Sequence, residues 1–359
     1  MINVTKPFLP PLEKYQEYVS GIWKRNWVTN HGPLVSELEL QLKSYLEVPH
    51  LLYLSNGTLA IQVAIKALEL HDEIITTPFS YVATTSSIVW EGCTPVFVDI
   101  DPQTLNIDPS KIESAITSKT TGILATHVFG NPCDVEAIGA IAKKHGLKVI
   151  YDAAHCFGTT YQGRSIFQYG DISTSSFHAT KIFHTGEGGA VFTTDPKMLK
   201  VMSYLRNFGH ETPTEFAMVG INAKCSELHA AMGLCVLPYM DEILKRRKEL
   251  ALHYDKILEG LAVHRQKIQP GAVPNHSYYP IIFRSTQALE ASIAALNKFN
   301  IYPRRYFFPS LDTLNYVHSA PCPISRDIAS KILCLPLYHD LSIEEADYIA
   351  RLLLRKQNN

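Results

Sequence analysis

The chain has 359 residues, of which 46% are apolar and 19% charged, and its formal net charge is −1. That length suggests two domains, and the balance is that of a globular protein with an ordinary core. Near-zero charge gives no bulk attraction to nucleic acid or to a membrane surface, and the basic run Lys245-Arg246-Arg247-Lys248 reads as the solvated face of a helix. The seven cysteines fall at irregular spacing with no CxxC pair. This points to reduced, mostly buried thiols in a cytoplasmic protein rather than to a disulfide framework or a zinc site. Met1 to Tyr15 lacks the basic and apolar regions of a signal peptide, and no apolar run reaches the roughly 18 residues that a membrane helix needs.

In chain order, the Pro-rich first thirty residues read as an irregular docking arm, ending in the loop Asn30-His31-Gly32-Pro33. Leu34, Leu38, Leu42 and Leu46 define one helical face. A short strand follows over Leu51–Leu54, then a helix over Thr58–Leu70. Strands are expected at Glu73–Thr77, Pro95–Val98, Gly122–Val128 and Lys148–Asp152. Helices are expected at Tyr81–Trp90, Ile107–Ile116 and Val135–His145, the second of these opened by Asp108-Pro109. Such alternation builds a mainly parallel sheet covered on both faces, with ligands gathering beyond the carboxyl ends of its strands. The stretch Ser173–Asp195 places Lys181 in a turn-rich middle between two β-type runs. Helices follow after Pro196 and over Ser226–Leu237. A longer one, from Tyr239 to Leu261, would span roughly 35 Å at 1.5 Å per residue and bridge two domains. From Pro270 a smaller α+β unit is expected: a strand Tyr278–Phe283, a helix Leu289–Asn300, a Pro- and Tyr-rich stretch and a closing helix Glu344–Arg355. The domains are accordingly 1–238 and 239–359.

Pyridoxal 5′-phosphate (PLP) needs a lysine for its aldehyde, a carboxylate for its pyridine nitrogen, a ring for its face and donors for its phosphate. Lys181 is the candidate lysine, since a nucleophilic amine must be partly neutral. Asp152 ends a strand and could hold the ring nitrogen, and His155, three residues on, could bond the phenolic oxygen. Ser55-Asn56-Gly57-Thr58 joins a strand to a helix. Gly57 permits close approach there, and the Thr58 and Leu59 amides would face an anion at the helix N-terminus. Tyr81 could stack on the ring. Each residue taken alone has an ordinary alternative: a surface lysine, a capping aspartate, a packed histidine, a plain turn or a core aromatic. No GxGxxG follows a strand and no GxxxxGK[ST] occurs.

The order of the pieces is more specific than any one of them. Ser-Asn-Gly-Thr, Thr-Pro-Phe-Ser-Tyr-Val-Ala-Thr, Pro-Val-Phe-Val-Asp-Ile-Asp, Tyr-Asp-Ala-Ala-His, Ser-Phe-His-Ala-Thr-Lys and Gly-Glu-Gly-Gly follow one another. In this the chain resembles the DegT/DnrJ/EryC1/StrS family of PLP-dependent nucleotide-sugar aminotransferases. The resemblance implies an α/β, aspartate aminotransferase-like (type I) fold and a homodimer with active sites at the interface. It assigns Lys181 as the Schiff-base lysine and general base, Asp152 as the pyridinium partner, His155 beside the phenolic oxygen and Tyr81 on the ring. Gly57, Thr58, Leu59 and Ser176 would cradle the phosphate. Asn222, in Gly-Ile-Asn-Ala-Lys-Cys-Ser-Glu, would reach the phosphate of the neighbouring subunit, with Lys224 where the family has arginine.

L-Glutamate is the implied donor, leaving the cofactor as pyridoxamine 5′-phosphate for a keto sugar to consume. Ser-Phe-His-Ala-x-Lys is similar to the branch that aminates C4 of dTDP-4-keto-6-deoxy-D-glucose, with C3 amination of a 3-keto isomer as the alternative and O-antigen assembly as the implied pathway. Trp27, Thr29, His184 and Tyr306 are candidate sugar or nucleotide contacts, with interface packing as their alternative. From another class, a noncatalytic PLP-fold sensor or assembly protein is the competing reading.

Overall fold

The computed structural model describes residues 1–358. Its centre is a seven-stranded sheet. In chain order the strands are β1 (His50–Leu54), β2 (Glu73–Thr76), β3 (Thr94–Phe97), β4 (Thr120–Thr126), β5 (Lys148–Asp152), β6 (Ile172–Ser176) and β7 (Gly189–Thr193). Their spatial order is β1-β7-β6-β5-β4-β2-β3. All pairs from β6 to β3 are parallel, and β7 alone runs antiparallel to its neighbours β1 and β6. Most of the strands are short apolar runs, β6 being Ser- and Thr-rich instead, and they are largely buried on both faces, as in a helix-covered parallel sheet. The covering helices include α2 (Pro33–Tyr45), α3 (Gly57–Ala67), α4 (Val82–Trp90), α5 (Val135–His145), α6 (Pro196–Arg206) and α7 (Glu227–Val236).

The helix α8 (Met240–Ile257) starts against this core through Met240 and Ile243 and ends in a second one through Leu250 and Tyr254. The second core is closed by α9 (Thr286–Asn297), α11 (Ile343–Asn358) and a three-stranded sheet containing Tyr279–Phe283 and Ile332–Leu335. No helix among the described residues is long and apolar enough to cross a membrane.

Three segments differ from the pattern read in the sequence. The arm contains a helix, α1 (Leu12–Arg25), which begins directly after Pro10-Pro11. Tyr15, Tyr18 and Ile22 pack its inner face on the core, while exposed Leu12 and Trp23 blur the periodicity. The expected helix Ile107–Ile116 is two 3-10 turns, Pro109–Lys111 and Glu113–Ala115, in which no residue is buried. Ile107 and Ile112 are its buried anchors, with Ala115 and Ile116 half-buried beside them, too little apolar contact to extend a helix. The bridging helix has 18 residues, about 27 Å at 1.5 Å per residue, and Gly260 at φ +89° lies just beyond its end.

One buried carboxylate staples the arm to the core. Helix α2 starts with Gly32 as a cap without a side chain and Pro33, which has no N–H. The next two amides, Leu34 and Val35, both donate to Glu227, the first residue of α7, at 3.0 and 2.9 Å. Arg25 lies 3.8 Å from the same carboxylate. A Cβ on Gly32 would sit 2.5 Å from Glu227 Cδ, so glycine is what lets this distant side chain act as the cap. Replacing Glu227 with alanine leaves two buried donors without an acceptor. We expect Glu227→Ala to destabilise the fold by about 2–4 kcal/mol in urea denaturation, and an unchanged midpoint would remove the staple from this account.

Candidate active site

A cavity of about 260 Å³ opens where the carboxyl ends of the central strands meet the second core. Gly57 and Thr58 border it after β1, Tyr81 after β2, Asp152 and His155 after β5, and Ser176 and Lys181 after β6. Tyr306 closes the far side together with Tyr278 and Arg304.

Close backbone approach shapes the phosphate-sized end. A Cβ on Gly57 would meet Ser176 Cβ at 2.8 Å, and one on Gly189 would meet the Asn56 carbonyl at 2.5 Å. Glycine at both positions lets the turn at Asn56 rest on the ends of β6 and β7. Asn56 caps α3 by accepting the Leu59 amide at 2.9 Å. The Leu59 amide is therefore held by the cap, and Leu59 is absent from the cavity wall, whereas Gly57 and Thr58 are on it.

Lys181 lies in the loop between β6 and β7, which folds back on itself through bonds from Phe177 N to Gly188 O, Ala179 N to Gly186 O and Lys181 N to His178 O, each 2.8 Å. Burial pulls the Lys181 ammonium down to about 8. Asp152 opposes that pull, and the positive charge of Arg304 adds to it. Asp152 is pushed above the ordinary carboxylate range by burial, against hydrogen bonds from the Thr84 hydroxyl at 2.7 Å and the Ala154 amide at 3.1 Å. His155 is held well below its usual range by burial, with the Lys181 charge contributing. Its ring lies parallel to Phe307, centroids 5.7 Å apart, and edge-on to Tyr278 at 4.9 Å. His155 Nδ1 and Ser175 Oγ are buried without a hydrogen-bond partner, and both residues border the cavity. Such atoms need a polar group from outside the chain. Tyr81 presents a ring that is 52% exposed on the same wall.

Four of the expected residues are not on the wall of this cavity. Trp27 and Thr29 are exposed and bond each other, Trp27 Nε1–H to the Thr29 carbonyl at 2.7 Å. Asn222 is exposed and bridges to Asn207, away from the cavity wall. His184 is buried, its Nε2–H donating to the Phe8 carbonyl at 2.7 Å and its Nδ1 accepting the Gly186 amide at 3.3 Å. Both ring nitrogens are thus taken by the protein, and the structure gives His184 a packing role in place of a sugar contact. The sequence reading passed over Ser175, Tyr278, Arg304 and Phe307. Only Arg304 and Phe307 left a trace, as neighbours of Tyr306 in the Pro- and Tyr-rich stretch.

The DegT/DnrJ/EryC1/StrS aminotransferase family matches residues 12–354. The chain belongs to this family. The dTDP-4-amino-4,6-dideoxy-D-glucose transaminase of Shigella dysenteriae is 43% identical over 355 residues, 97% of each chain. Among solved structures, DesI in the presence of its TDP-sugar product superposes with a TM-score of 0.94 at 30% identity, covering 99% of this chain and 93% of that one. The PMP form of the putative sugar aminotransferase Spr1654 from Streptococcus pneumoniae superposes with a TM-score of 0.93 at 26% identity, covering 100% and 99%. The protein is an aminotransferase.

The opposing charges around Lys181 give a prediction with two signs. In the cofactor-free protein, acylation of Lys181 followed by mass spectrometry should titrate with a midpoint near 8. Asp152→Asn removes an anion that favours the ammonium and should lower the midpoint. Arg304→Gln removes a cation that disfavours it and should raise the midpoint. Shifts of the same sign in both variants would contradict the electrostatics described above.

Proposed function

We propose that this aminotransferase binds PLP in the cavity and moves an amino group from L-glutamate to C4 of dTDP-4-keto-6-deoxy-D-glucose. The carrying observation is Lys181, depressed to about 8, in one cavity with Asp152. About a tenth of a lysine with that pKa is neutral at pH 7, against a few parts in ten thousand for an ordinary one.

The residues fit the cofactor. Asp152 would meet the pyridine nitrogen, His155 the phenolic oxygen and Tyr81 the ring face. Gly57, Thr58 and Ser176 would hold the phosphate, with Ser175 Oγ as a further free donor beside them. When bound, PLP supplies an aldehyde carbon for the amino group and a ring that withdraws electrons. Lys181 Nζ would carry the proton between the donor's Cα and the cofactor's aldehyde carbon, C4′, and in the reverse sense from C4′ to the carbon being aminated, a general base whose pKa suits neutral pH. Asp152 keeps a negative charge facing the ring nitrogen. The stacked wall of His155 and Phe307 excludes water from that side. Arg304, its guanidinium 4.7 Å above the Tyr306 ring, stands at the mouth where an anionic substrate enters.

A homodimer is part of the proposal. Trp23, Trp27 and Val28 on one segment and Phe208, Phe216 and Ile221 on another are exposed apolar residues. The first segment is tied to the start of α7, where the Glu227 amide donates to the Val28 carbonyl at 2.9 Å. Self-association would cover both segments and bring Asn222 toward a second cavity. The sugar and its nucleotide are supported by the similarity to the Shigella transaminase and to DesI, and a cytoplasmic step of O-antigen assembly follows from that substrate.

Incubation with glutamate and dTDP-4-keto-6-deoxy-D-glucose should release 2-oxoglutarate and give a 4-amino sugar by NMR. Lys181→Ala should lower turnover by at least about a hundredfold. Amination of the 3-keto isomer alone would move the assignment to C3. Bound PLP whose absorption ignores glutamate would favour the noncatalytic reading.

A further inference from the structure

Asp152 does not stand alone on the cavity floor. Thr84 Oγ1 donates to its Oδ2 at 2.7 Å, Ser80 Oγ lies 2.7 Å from Thr84 Oγ1, and Thr126 Oγ1 lies 3.0 Å from Ser80 Oγ. All four side chains are buried. They come from separate parts of the fold: Ser80 from the loop after β2, Thr84 from the first turn of α4, and Thr126 and Asp152 from register-paired ends of β4 and β5.

Elementary hydrogen-bond accounting fixes the direction of this chain. A hydroxyl has one proton to donate, and an ionised carboxylate has none. Thr84 commits its proton to Asp152, so it can only accept from Ser80. Ser80 is then committed in turn and can only accept from Thr126. Three dipoles therefore point one way and end on one carboxylate oxygen, each polarising the next. Burial drives Asp152 toward the protonated form, and the Thr84 bond is the strongest opposing influence, ahead of the Ala154 amide and the Lys181 charge. Ser80, Thr126 and Asp152 border the cavity, but Thr84 does not. Whatever Thr84 does for a ligand must pass through Asp152.

We propose that Thr84 is a positioning residue for the cofactor's pyridine nitrogen, acting through Asp152 as the last hydroxyl of a one-way buried chain. The inference rests on the PLP reading above and deepens it. Tyr81, which faces the ring, and Thr84 are three residues apart at the start of α4, with the Thr84 amide bonded to the Tyr81 carbonyl at 3.1 Å. One turn of helix thus sets both the ring face and the carboxylate at the ring edge.

The test compares two cofactors rather than two activities. Cofactor-free wild type, Thr84→Val and Thr84→Ser are titrated with PLP and with its 1-deaza analogue, in which a C–H replaces the pyridine nitrogen. Thr84→Val should bind PLP roughly ten- to a hundredfold more weakly while its affinity for the analogue stays within about threefold of wild type, and Thr84→Ser should restore PLP binding. Equal losses for both compounds, or no loss for either, overturn the role of Thr84 alone. A wild-type protein that binds no PLP overturns the cofactor reading and this inference with it. Should Thr84→Val fail to fold, Ser80→Ala removes the preceding donor and should give a smaller loss confined to PLP.

Discussion

The site is organised around a carboxylate that burial would neutralise. Asp152 sits at the end of a central strand where water cannot solvate it, and the same burial acts on Lys181 in the opposite sense. Left to burial alone, the pair would drift toward a neutral acid and a neutral amine. Their mutual attraction resists that drift for both, and the hydrogen bonds from Thr84 and Ala154 resist it for Asp152 only. Arg304 biases the lysine the other way. The result is an arrangement in which the amine can be partly neutral while the carboxylate retains support for its charge. An aminotransferase needs both conditions at once, and neither group could provide them in isolation.

The fold delivers that arrangement by bringing five chain segments to one edge of the sheet. The parallel strands β2, β4, β5 and β6 all end on the cavity side, so the residues that follow them converge without long loops. The opposite wall, Tyr278, Tyr306 and Phe307, packs with Phe79 and Phe129 from beyond the sheet strands, and the segment after it is tied to the sheet. The Leu311 amide donates to the Pro78 carbonyl at 2.8 Å, and the buried Asp99 carboxylate accepts the Ile324 and Ser325 amides at 2.9 Å each. Asp99, just past β3, thereby caps the helix Pro323–Lys331. Tyr306 and Phe307 stand just before this anchored stretch, so the distance between them and His155 is set by hydrogen bonds rather than by packing alone.

Much of this was legible because it is local. Strand–helix alternation is written in short apolar runs, and Gly57, Tyr81, Asp152, Ser176 and Lys181 each follow or end a strand, where ligands are expected. What was not legible depends on distant residues meeting. Thr84 and Thr126 look like ordinary polar positions in a helix and a strand, and only the register of β4 on β5 brings Thr126 beside Asp152. Ser175 lies inside a strand and gives no signal until its hydroxyl is found without a partner. His184 shows the reverse case. Its closeness to Lys181 in sequence suggested a ligand contact, yet the Phe8 carbonyl, 176 residues away, takes its proton. Helix α1 was hidden by its exposed apolar residues, which broke the expected stripe.

The two ends of the cavity differ in how tightly they are determined. At the floor, Asp152, Thr84, Ser80 and Thr126 are buried and interlocked, so a change at one alters the others. At the mouth, His178 and Glu187 lie 3.6 Å apart with side chains about half exposed, and Arg304 is exposed over Tyr306. Residues of that kind can be exchanged at little cost to the fold. The lysine–carboxylate pair is therefore set in the packed part of the molecule, and the solvated rim is the part that can change most freely. This division explains why the order of motifs identifies an aminotransferase so readily. The buried carboxylate and its hydroxyl chain would be disturbed by few changes at that rim, because His178, Glu187 and Arg304 make no hydrogen bond to Asp152, Thr84, Ser80 or Thr126.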